Sequence, residues 1–148
     1  MKMDKKIESF LESQKNLTLC TSVDNTPHCA SCFYAYVSEG HFVVFKSDRK
    51  TKHICNAFIN DKVAGTIIPD IDKIGTIKGI QFIGKFIVPT GVFVEQMKKK
   101  YYGKYPFALA LAGDLWGIEL QSVKMIDNTL GFGKKLSWEK SVSIKQIL

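Results

Sequence analysis

The segment "FVVFKSDRKTKHICNAF", residues 42–58, joins an apolar strand to a short helix through a basic loop. The first turn of a helix has backbone N–H groups without partners and a partial positive charge, so this junction can bind an anion such as phosphate. The loop adds two hydroxyl groups and three cations, at Ser47, Thr51, Arg49, Lys50 and Lys52. Taken alone, the segment favours a solvated basic turn, and Lys46 is expected to face solvent.

The composition indicates one globular domain, residues 1–148, with a preference for anionic partners. Of 148 residues, 45% are hydrophobic, which is enough to bury a core. The net charge of +7 favours nucleic acid, an anionic membrane surface or a phosphorylated small molecule. No apolar run approaches the roughly 20 residues of a membrane-spanning helix. The first residues lack the apolar core of a signal peptide, so we expect a cytoplasmic protein.

The four cysteines are expected to be free thiols, because disulfides are rare in the cytoplasm. They are Cys20, Cys29, Cys32 and Cys55. The sequence "HCASC", residues 28–32, raises the question of a zinc site, but the following residues are typical of a strand. Residues three apart in a strand point to opposite faces, so Cys29 and Cys32 are predicted to diverge. We therefore predict neither a metal site nor a thioredoxin-type redox pair there.

Hydrophobic periodicity predicts a mainly β fold with a few helices. Strands are predicted for residues 17–22, 29–37, 41–46, 61–68, 76–88 and 115–127, and helices for residues 4–14, 51–59, 91–105 and 106–113. Most strands follow one another through short turns, which indicates a small antiparallel barrel rather than a parallel sheet. Gly79 and Gly84 suggest bulges or bends in the barrel wall.

Five segments in order resemble the pyridoxamine-phosphate-oxidase-like split-barrel flavoproteins, and among them a small bacterial branch. They are "TLCTSVDNTPHCASCFYAYV" (18–37), "FVVFKSDRKTKH" (42–53), "KVAGTI" (62–67), "IKGIQFIGKF" (77–86) and "DNTLGFGKK" (127–135). Their order and spacing carry the resemblance, rather than any single segment. The resemblance implies a six-stranded antiparallel split barrel, a homodimer, and FMN bound at two sites in the dimer interface.

The same resemblance implies which residues bind FMN. The strand before the basic loop and the start of the next helix would hold the phosphate, through Ser47, Lys50, Thr51 and Lys52, with Arg49 and His53 as further candidates. The second strand would run beside the isoalloxazine ring, which implicates Ser31, Cys32, Phe33 and Tyr34. Gln81 is expected at the polar edge of the flavin. Lys78 is expected on the opposite face of that strand, unless Gly79 forms a bulge.

The C-terminal region departs from the family. True pyridoxamine-phosphate oxidases have an arginine- and histidine-bearing motif there, and "GFGKKLSW", residues 131–138, has neither residue type. Oxidation of pyridoxamine phosphate is therefore not expected. The glycines also lack the spacing of a phosphate loop, so we predict a turn close to a ligand or partner subunit. Candidates for lining the site are Phe132, Lys134 and Trp116, with core or dimer packing equally open for Trp116.

Three functions stay open. The favoured one is an FMN-binding flavoprotein, an oxidoreductase of an unidentified small molecule. Related split barrels handle haem, which His28, His41 or His53 would ligate. The third is a nucleic-acid-binding barrel that uses "KKKYYGKY", residues 98–105, although this pattern is more typical of an exposed helix face. In that case Phe93, Met97 and Tyr101 would point inward.

Overall fold

The computed structural model describes residues 2–71, 73–131 and 133–141, and within them one antiparallel sheet dominates. Its strands are β1 (Asn16–Val23), β2 (Thr26–Val37), β3 (Phe42–Ser47), β4 (Lys62–Ile67), β5 (Lys78–Ile87), β6 (Asp114–Asp127) and β7 (Lys135–Glu139). The helices are α1 (Lys5–Ser13), α2 (Lys52–Ile59) and α3 (Val92–Lys104), with short 3-10 helices at Pro106–Ala110 and Asn128–Leu130. None of the described helices is long and apolar enough to cross a bilayer.

The sheet closes into a barrel. The strand order is β3-β2-β1-β4-β5-β6-β7, and a further pairing of β3 with β6 joins the first six strands into a ring. β6 is long enough to serve two partners on one side, because its first half pairs with β3 and its second half with β7. The predicted six-stranded antiparallel split barrel is confirmed, with β7 as an added edge strand.

Local backbone geometry sets the strand boundaries. β1 and β2 are joined by Asp24 and Asn25, whose φ angles of 50° and 59° form the two-residue turn that suits the twist of a hairpin. The pairing of β5 with β6 shifts register between Ile83 and Gly84, as predicted for Gly84. A side chain at position 84 would run into the neighbouring strand β6. The bulge considered at Gly79 is wrong, because that residue keeps regular pairing.

Two hydrophobic clusters lie on opposite sides of the sheet. The larger fills the barrel and includes Tyr34, Phe45 and Trp116, with α1 covering one end through its buried apolar residues. The smaller lies outside the barrel, where α3 packs on β2 and β3. Its members include Met97 and Tyr101, which confirms the predicted inward face of α3. The outer wall is therefore covered by α3 at β2 and β3, and Met97 of α3 also reaches Gly117 of β6.

Candidate functional site

The residues predicted to border a flavin ring divide between the two faces of β2. Ser31 and Phe33 are exposed on the outer face, whereas Cys32 and Tyr34 are buried on the barrel side. Tyr34 has no exposed surface, and its hydroxyl donates a hydrogen bond of 2.7 Å to the carbonyl oxygen of Leu11. The structure thus brings Ser31 and Phe33 to a surface that a ligand can reach, and it places Tyr34 in the core.

A cavity of about 210 Å³ lies on this outer face, against the Pro106–Ala110 helix. Its polar lining comes from the end of β3 and from β2, and the rest is mostly apolar: Ser31, Cys32, Phe33, Lys46, Ser47, Tyr101, Phe107, Ala108, Leu111 and Ala112. Four of the predicted cofactor-binding residues therefore line one cavity: Ser31, Cys32, Phe33 and Ser47. Four of these lining residues had not been predicted as part of any site: Phe107, Ala108, Leu111 and Ala112.

Lys46 is part of the cavity wall, and the expectation that it faces solvent is wrong. Its ammonium group donates hydrogen bonds of 2.8 Å and 2.6 Å to the carbonyl oxygens of Ala108 and Leu111. It also lies 5.1 Å from the centre of the Tyr102 ring. Alternation along β3 could have revealed this, because Lys46 shares a face with Val44, which packs in the outer cluster.

The basic loop presents two exposed cations beside the start of α2. Lys50 and Lys52 are exposed, and Thr51 is the N-cap of α2 without making a side-chain capping bond. The Thr51 hydroxyl instead donates to the Asp48 carbonyl oxygen at 2.8 Å, and the Lys50 N–H donates to the Asp48 carboxylate at 2.7 Å. The turn is therefore ordered by its own hydrogen bonds, and the N-terminus of α2 is left without a side-chain cap.

Ser47 connects this loop to the barrel. Its hydroxyl lies 2.6 Å from Nε2 of His53, and its carbonyl oxygen accepts a 2.9 Å hydrogen bond from the Trp116 indole. Burial lowers the pKa of His53, and the nearby His28 lowers it further, so His53 is neutral at neutral pH. Arg49 is directed elsewhere, with its guanidinium 4.2 Å from the centre of the Phe58 ring.

Gln81 lies on the same outer face as Ser31, in one row across the sheet. Gln81 pairs with Thr66, Thr66 with Thr18, and Thr18 with Ser31. Three strand intervals of about 4.8 Å place Gln81 roughly 14 Å from Ser31 along this row. As predicted, Lys78 points to the other face, where its ammonium lies 3.8 Å from the Asp127 carboxylate.

A larger depression of about 500 Å³ lies between α1 and the β5–β6 pair, and it holds that ion pair. Although burial by itself would raise the pKa of Asp127, hydrogen bonds from Thr129 and the charge of Lys78 lower it. The carboxylate is thus already paired. None of the predicted cofactor-binding residues lines this depression, and Lys78 was expected on the face away from the flavin, so the 210 Å³ cavity is the candidate site.

The C-terminal candidates do not line that cavity. Trp116 is 4% exposed and packs inside the barrel, which makes it a core residue. Lys134 is exposed, and its N–H donates to the carbonyl oxygen of Gly131 in the turn before β7. Phe132 lies outside the described residues.

Sequence comparison finds close relatives of this chain. It is 37% identical over 134 residues to a UPF0306 protein of Photorhabdus laumondii, an alignment that covers 90% of this chain and 94% of the relative. No protein-family model matches the chain.

Solved structures share the fold at low sequence identity. A heme-binding protein from Mycobacterium smegmatis superposes with a TM-score of 0.75 and 16% identity, over 94% of this chain and 59% of that protein. This chain thus spans about three fifths of that protein's length. A FAD-binding protein from Mesorhizobium loti superposes with a TM-score of 0.64 and 15% identity, over 82% of this chain and 92% of that one. These similarities show that the chain shares its split-barrel fold with these proteins.

Proposed function

The chain belongs to the UPF0306 family, and we propose that it is an FMN-binding flavoprotein, an oxidoreductase of a small molecule that works as a homodimer. One observation carries this proposal: Ser31, Phe33 and Ser47 line the same outer cavity, and the basic loop that starts at Ser47 leads into α2. A flavin needs both features at once, a groove for a flat apolar ring and an anion site at the end of its ribityl chain. The fold relation to a FAD-binding protein supports the same ligand class.

The cavity suits one edge of an isoalloxazine ring. Phe33 and Phe107 contribute apolar surface, and their ring centres lie 6.5 Å apart. Ser31 supplies a hydroxyl for the polar rim, and Lys46 places a positive charge in the wall. A positive charge near a flavin favours its anionic reduced form.

The start of α2 suits the phosphate. A phosphate monoester carries about two negative charges at neutral pH, and it accepts hydrogen bonds from hydroxyl, ammonium and backbone N–H groups. Lys50 and Lys52 are exposed and have no carboxylate partner among the described residues. Thr51 would turn its hydroxyl from the Asp48 carbonyl to the phosphate, and Ser47 completes the candidate set.

A second subunit would complete the cavity. The outer surface beside it carries large apolar side chains that a soluble monomer would expose to water: Phe33 at 46%, Phe107 at 58%, Leu109 at 69% and Leu111 at 56% exposed. Contiguous apolar surface of this kind marks an interaction site. Gln81, roughly three strands from Ser31, would approach the polar edge of the same flavin or of the one bound across the dimer.

Flavin when bound supplies the two-electron chemistry, so the chain need not provide a nucleophile or an acid–base pair. The role of its own residues is to bind and orient. Ser31, Phe33 and Lys46 would hold the ring, and the loop from Ser47 to Lys52 would hold the phosphate.

Haem is the second candidate, because a fold relative is a heme-binding protein. Haem ligation needs an imidazole nitrogen free to bind iron. Nε2 of His53 contacts the Ser47 hydroxyl at 2.6 Å, so that nitrogen is engaged. Nδ1 of His41 contacts the Tyr36 hydroxyl at 2.7 Å, which leaves Nε2 as its ligand atom. None of His28, His41 and His53 is among the residues that line the cavity, so the cavity lining favours flavin over haem.

Nucleic-acid binding through residues 98–105 has less support. Tyr101 and Tyr105 are each 4% exposed, so neither ring can stack on a base. Lys104 is also engaged, since its ammonium donates to the backbone carbonyls of Glu12, in the last turn of α1, and of Gln14, just after that helix.

The test is a visible spectrum followed by a binding titration. Purified protein reconstituted with FMN should show the two flavin absorption bands, and FMN should bind with a measurable Kd. The Lys50→Ala/Thr51→Ala double variant should bind at least tenfold more weakly, or about 1.4 kcal/mol, close to the net value of one charge-assisted hydrogen bond.

Lys99→Ala is the matched control, because it removes one exposed charge from α3 and should leave affinity unchanged. If the double variant binds FMN as tightly as the wild type, the loop is not part of the FMN site. A Soret band after reconstitution with haem, without FMN binding, would establish the haem alternative. Salt-dependent RNA binding without either chromophore would establish the third function.

A further inference from the structure

Two of the four thiols lie against each other on the open outer wall of the barrel. Cys20 on β1 and Cys29 on β2 are directly opposite in the hairpin register, and their Sγ atoms are 3.2 Å apart. Cys29 is exposed and Cys20 is partly exposed. All four cysteines are free thiols in this structure, as predicted, so this is a dithiol pair in its reduced form.

The hairpin register brings these two side chains as close as opposite residues can be. Ser22 pairs with Pro27, which has no N–H, so that position is a non-hydrogen-bonded pair of the ladder. Pair types alternate along an antiparallel ladder, so Cys20 and Cys29, two residues further from the turn, are of the same type. Cα atoms in such pairs are about 4.5 Å apart, within the range of about 4.4–6.8 Å that a disulfide spans.

Bond formation needs little movement. A disulfide bond is about 2.05 Å long, so the sulfur atoms, now 3.2 Å apart, must approach by about 1 Å. Rotation of the two side chains can supply this, because both project from the surface rather than into a packed core. The two-residue turn at Asp24 and Asn25 keeps the strands in register while it happens.

The other two cysteines lack this arrangement. Cys32 is 8% exposed on the barrel side of β2, and burial raises the pKa of its thiol to about 11. Cys55 is exposed, but its thiol contacts the Arg49 carbonyl oxygen at 3.6 Å and no other sulfur in the described part of the chain. Among the described cysteines, only Cys20 and Cys29 are close together, exposed or partly exposed, and directly opposite each other in a strand pair.

We infer that Cys20 and Cys29 are a redox-active dithiol that closes to an intramolecular disulfide by exchange with a low-molecular-weight disulfide. The Cys29 thiolate attacks one sulfur of the reagent RSSR, which forms a mixed disulfide and releases one RS⁻. The Cys20 thiolate then attacks Sγ of Cys29 and expels the second RS⁻. The two protons lost by the protein are taken up by the two RS⁻ ions, so the protein loses two electrons and RSSR becomes two RSH.

The surroundings of each thiol set this order. Burial, the hydrogen bond with Cys29 and the charge of Cys29 together raise the pKa of Cys20 to about 11. Cys20 therefore keeps its proton while negative charge develops on Cys29. Cys29 is also the more exposed of the two, so it is the thiol that a soluble disulfide reaches first. The inference does not depend on the cofactor proposed above, since it concerns the protein alone.

The test is reaction of the reduced, ligand-free protein with excess glutathione disulfide, followed by acid quenching, intact mass and a count of thiols under denaturing conditions. The Cys32→Ser/Cys55→Ser double variant should fall from two thiols to none with a mass loss of two hydrogens and no attached glutathione. Wild-type protein should form the same Cys20–Cys29 disulfide, and any attached glutathione should map to the exposed Cys55. Cys20→Ser in the double-variant background should instead stop with one glutathione attached at Cys29.

Dithiothreitol should restore both thiols of the double variant. Circular dichroism checks that each variant is folded, and peptide mapping locates the disulfide of the wild-type protein. The inference is overturned if the folded double variant keeps two thiols, accumulates a glutathione adduct or forms a disulfide-linked dimer. It is equally overturned if the disulfide of the wild-type protein maps to Cys32 or Cys55.

Discussion

Gly65 occupies a position in β4 where a single methyl group should destabilise the barrel. A Cβ atom built there lies well inside van der Waals contact with the Phe82 ring and with the backbone oxygen of Thr18. The Phe82 ring is 2% exposed and packed in the core, and the Thr18 oxygen belongs to the neighbouring strand. Neither is the free end of a flexible side chain, so neither can move aside without shifting its strand.

The magnitude of the Gly65→Ala effect follows from these contacts. Overpacking typically costs 1–3 kcal/mol, and two rigid neighbours place this case near about 3 kcal/mol. Replacing glycine also reduces the conformational entropy of the unfolded chain, which stabilises the folded protein by up to about 1 kcal/mol. The net loss is about 2 kcal/mol, which corresponds to a decrease in Tm of roughly 4–8 °C. With an m value of about 2 kcal/mol per M, the urea midpoint falls by about 1 M.

Urea unfolding followed by tryptophan fluorescence measures this loss. Gly103→Ala in α3 is the matched control, because no atom lies within 4 Å of its added Cβ; it should stabilise the protein by about 0.5–1 kcal/mol through helix propensity. In a Phe82→Leu background, Gly65→Ala should cost at least about 1 kcal/mol less, because the ring is gone. Wild-type stability in Gly65→Ala, or equal shifts at both glycines, would refute the reasoning.

Two further outcomes follow from buried polar groups. The Tyr105 hydroxyl donates a 2.6 Å hydrogen bond to the carbonyl oxygen of Tyr34, so Tyr105→Phe should lower the free energy of unfolding by about 1–2 kcal/mol. Tyr102→Phe is the control and should change it little, because the Tyr102 hydroxyl makes no hydrogen bond with the described residues. Equal urea midpoints for the two variants would contradict this. Burial and the charge of His28 lower the pKa of His53 in the folded protein. As the pH falls, the His53 imidazole of the unfolded chain is therefore protonated before that of the folded chain. The free energy of unfolding should decrease as the pH falls through about 6.5 and below. His53→Gln should flatten that part of the pH profile of Tm, and identical profiles would show that His53 contributes nothing to it.

Much of the fold is readable in short stretches of the chain. The alternation of β2 correctly predicts that Cys29 and Cys32 point to opposite faces, and that of β5 predicts the same for Lys78 and Gln81. The reason is local, since a strand repeats every two residues whatever it packs against. The bend at Gly84 was also visible in the sequence, although the one considered at Gly79 was not formed.

The candidate site is readable only in part. The basic loop and β2 were identified by resemblance, and both contribute to one region of the surface. What the local pattern could not give was which face of β2 is covered. That depends on α1 and α3, which pack on opposite sides of the sheet. Their packing places Tyr34 in the core, and the lining of the candidate cavity includes Lys46 and residues of the Pro106–Ala110 helix.

The sequence by itself therefore determined the antiparallel barrel, the basic turn before α2 and the opposing faces of each strand, because these depend on residues near one another in the chain. Only the tertiary structure decided that Ser31, Ser47 and Phe107 share one cavity, that Phe82 leaves no room beside Gly65, and that Cys20 meets Cys29. These facts depend on register and on which element covers which face. Both are set by packing between segments that lie far apart in the sequence, except at the hairpin, where a two-residue turn fixes the register of the thiol pair.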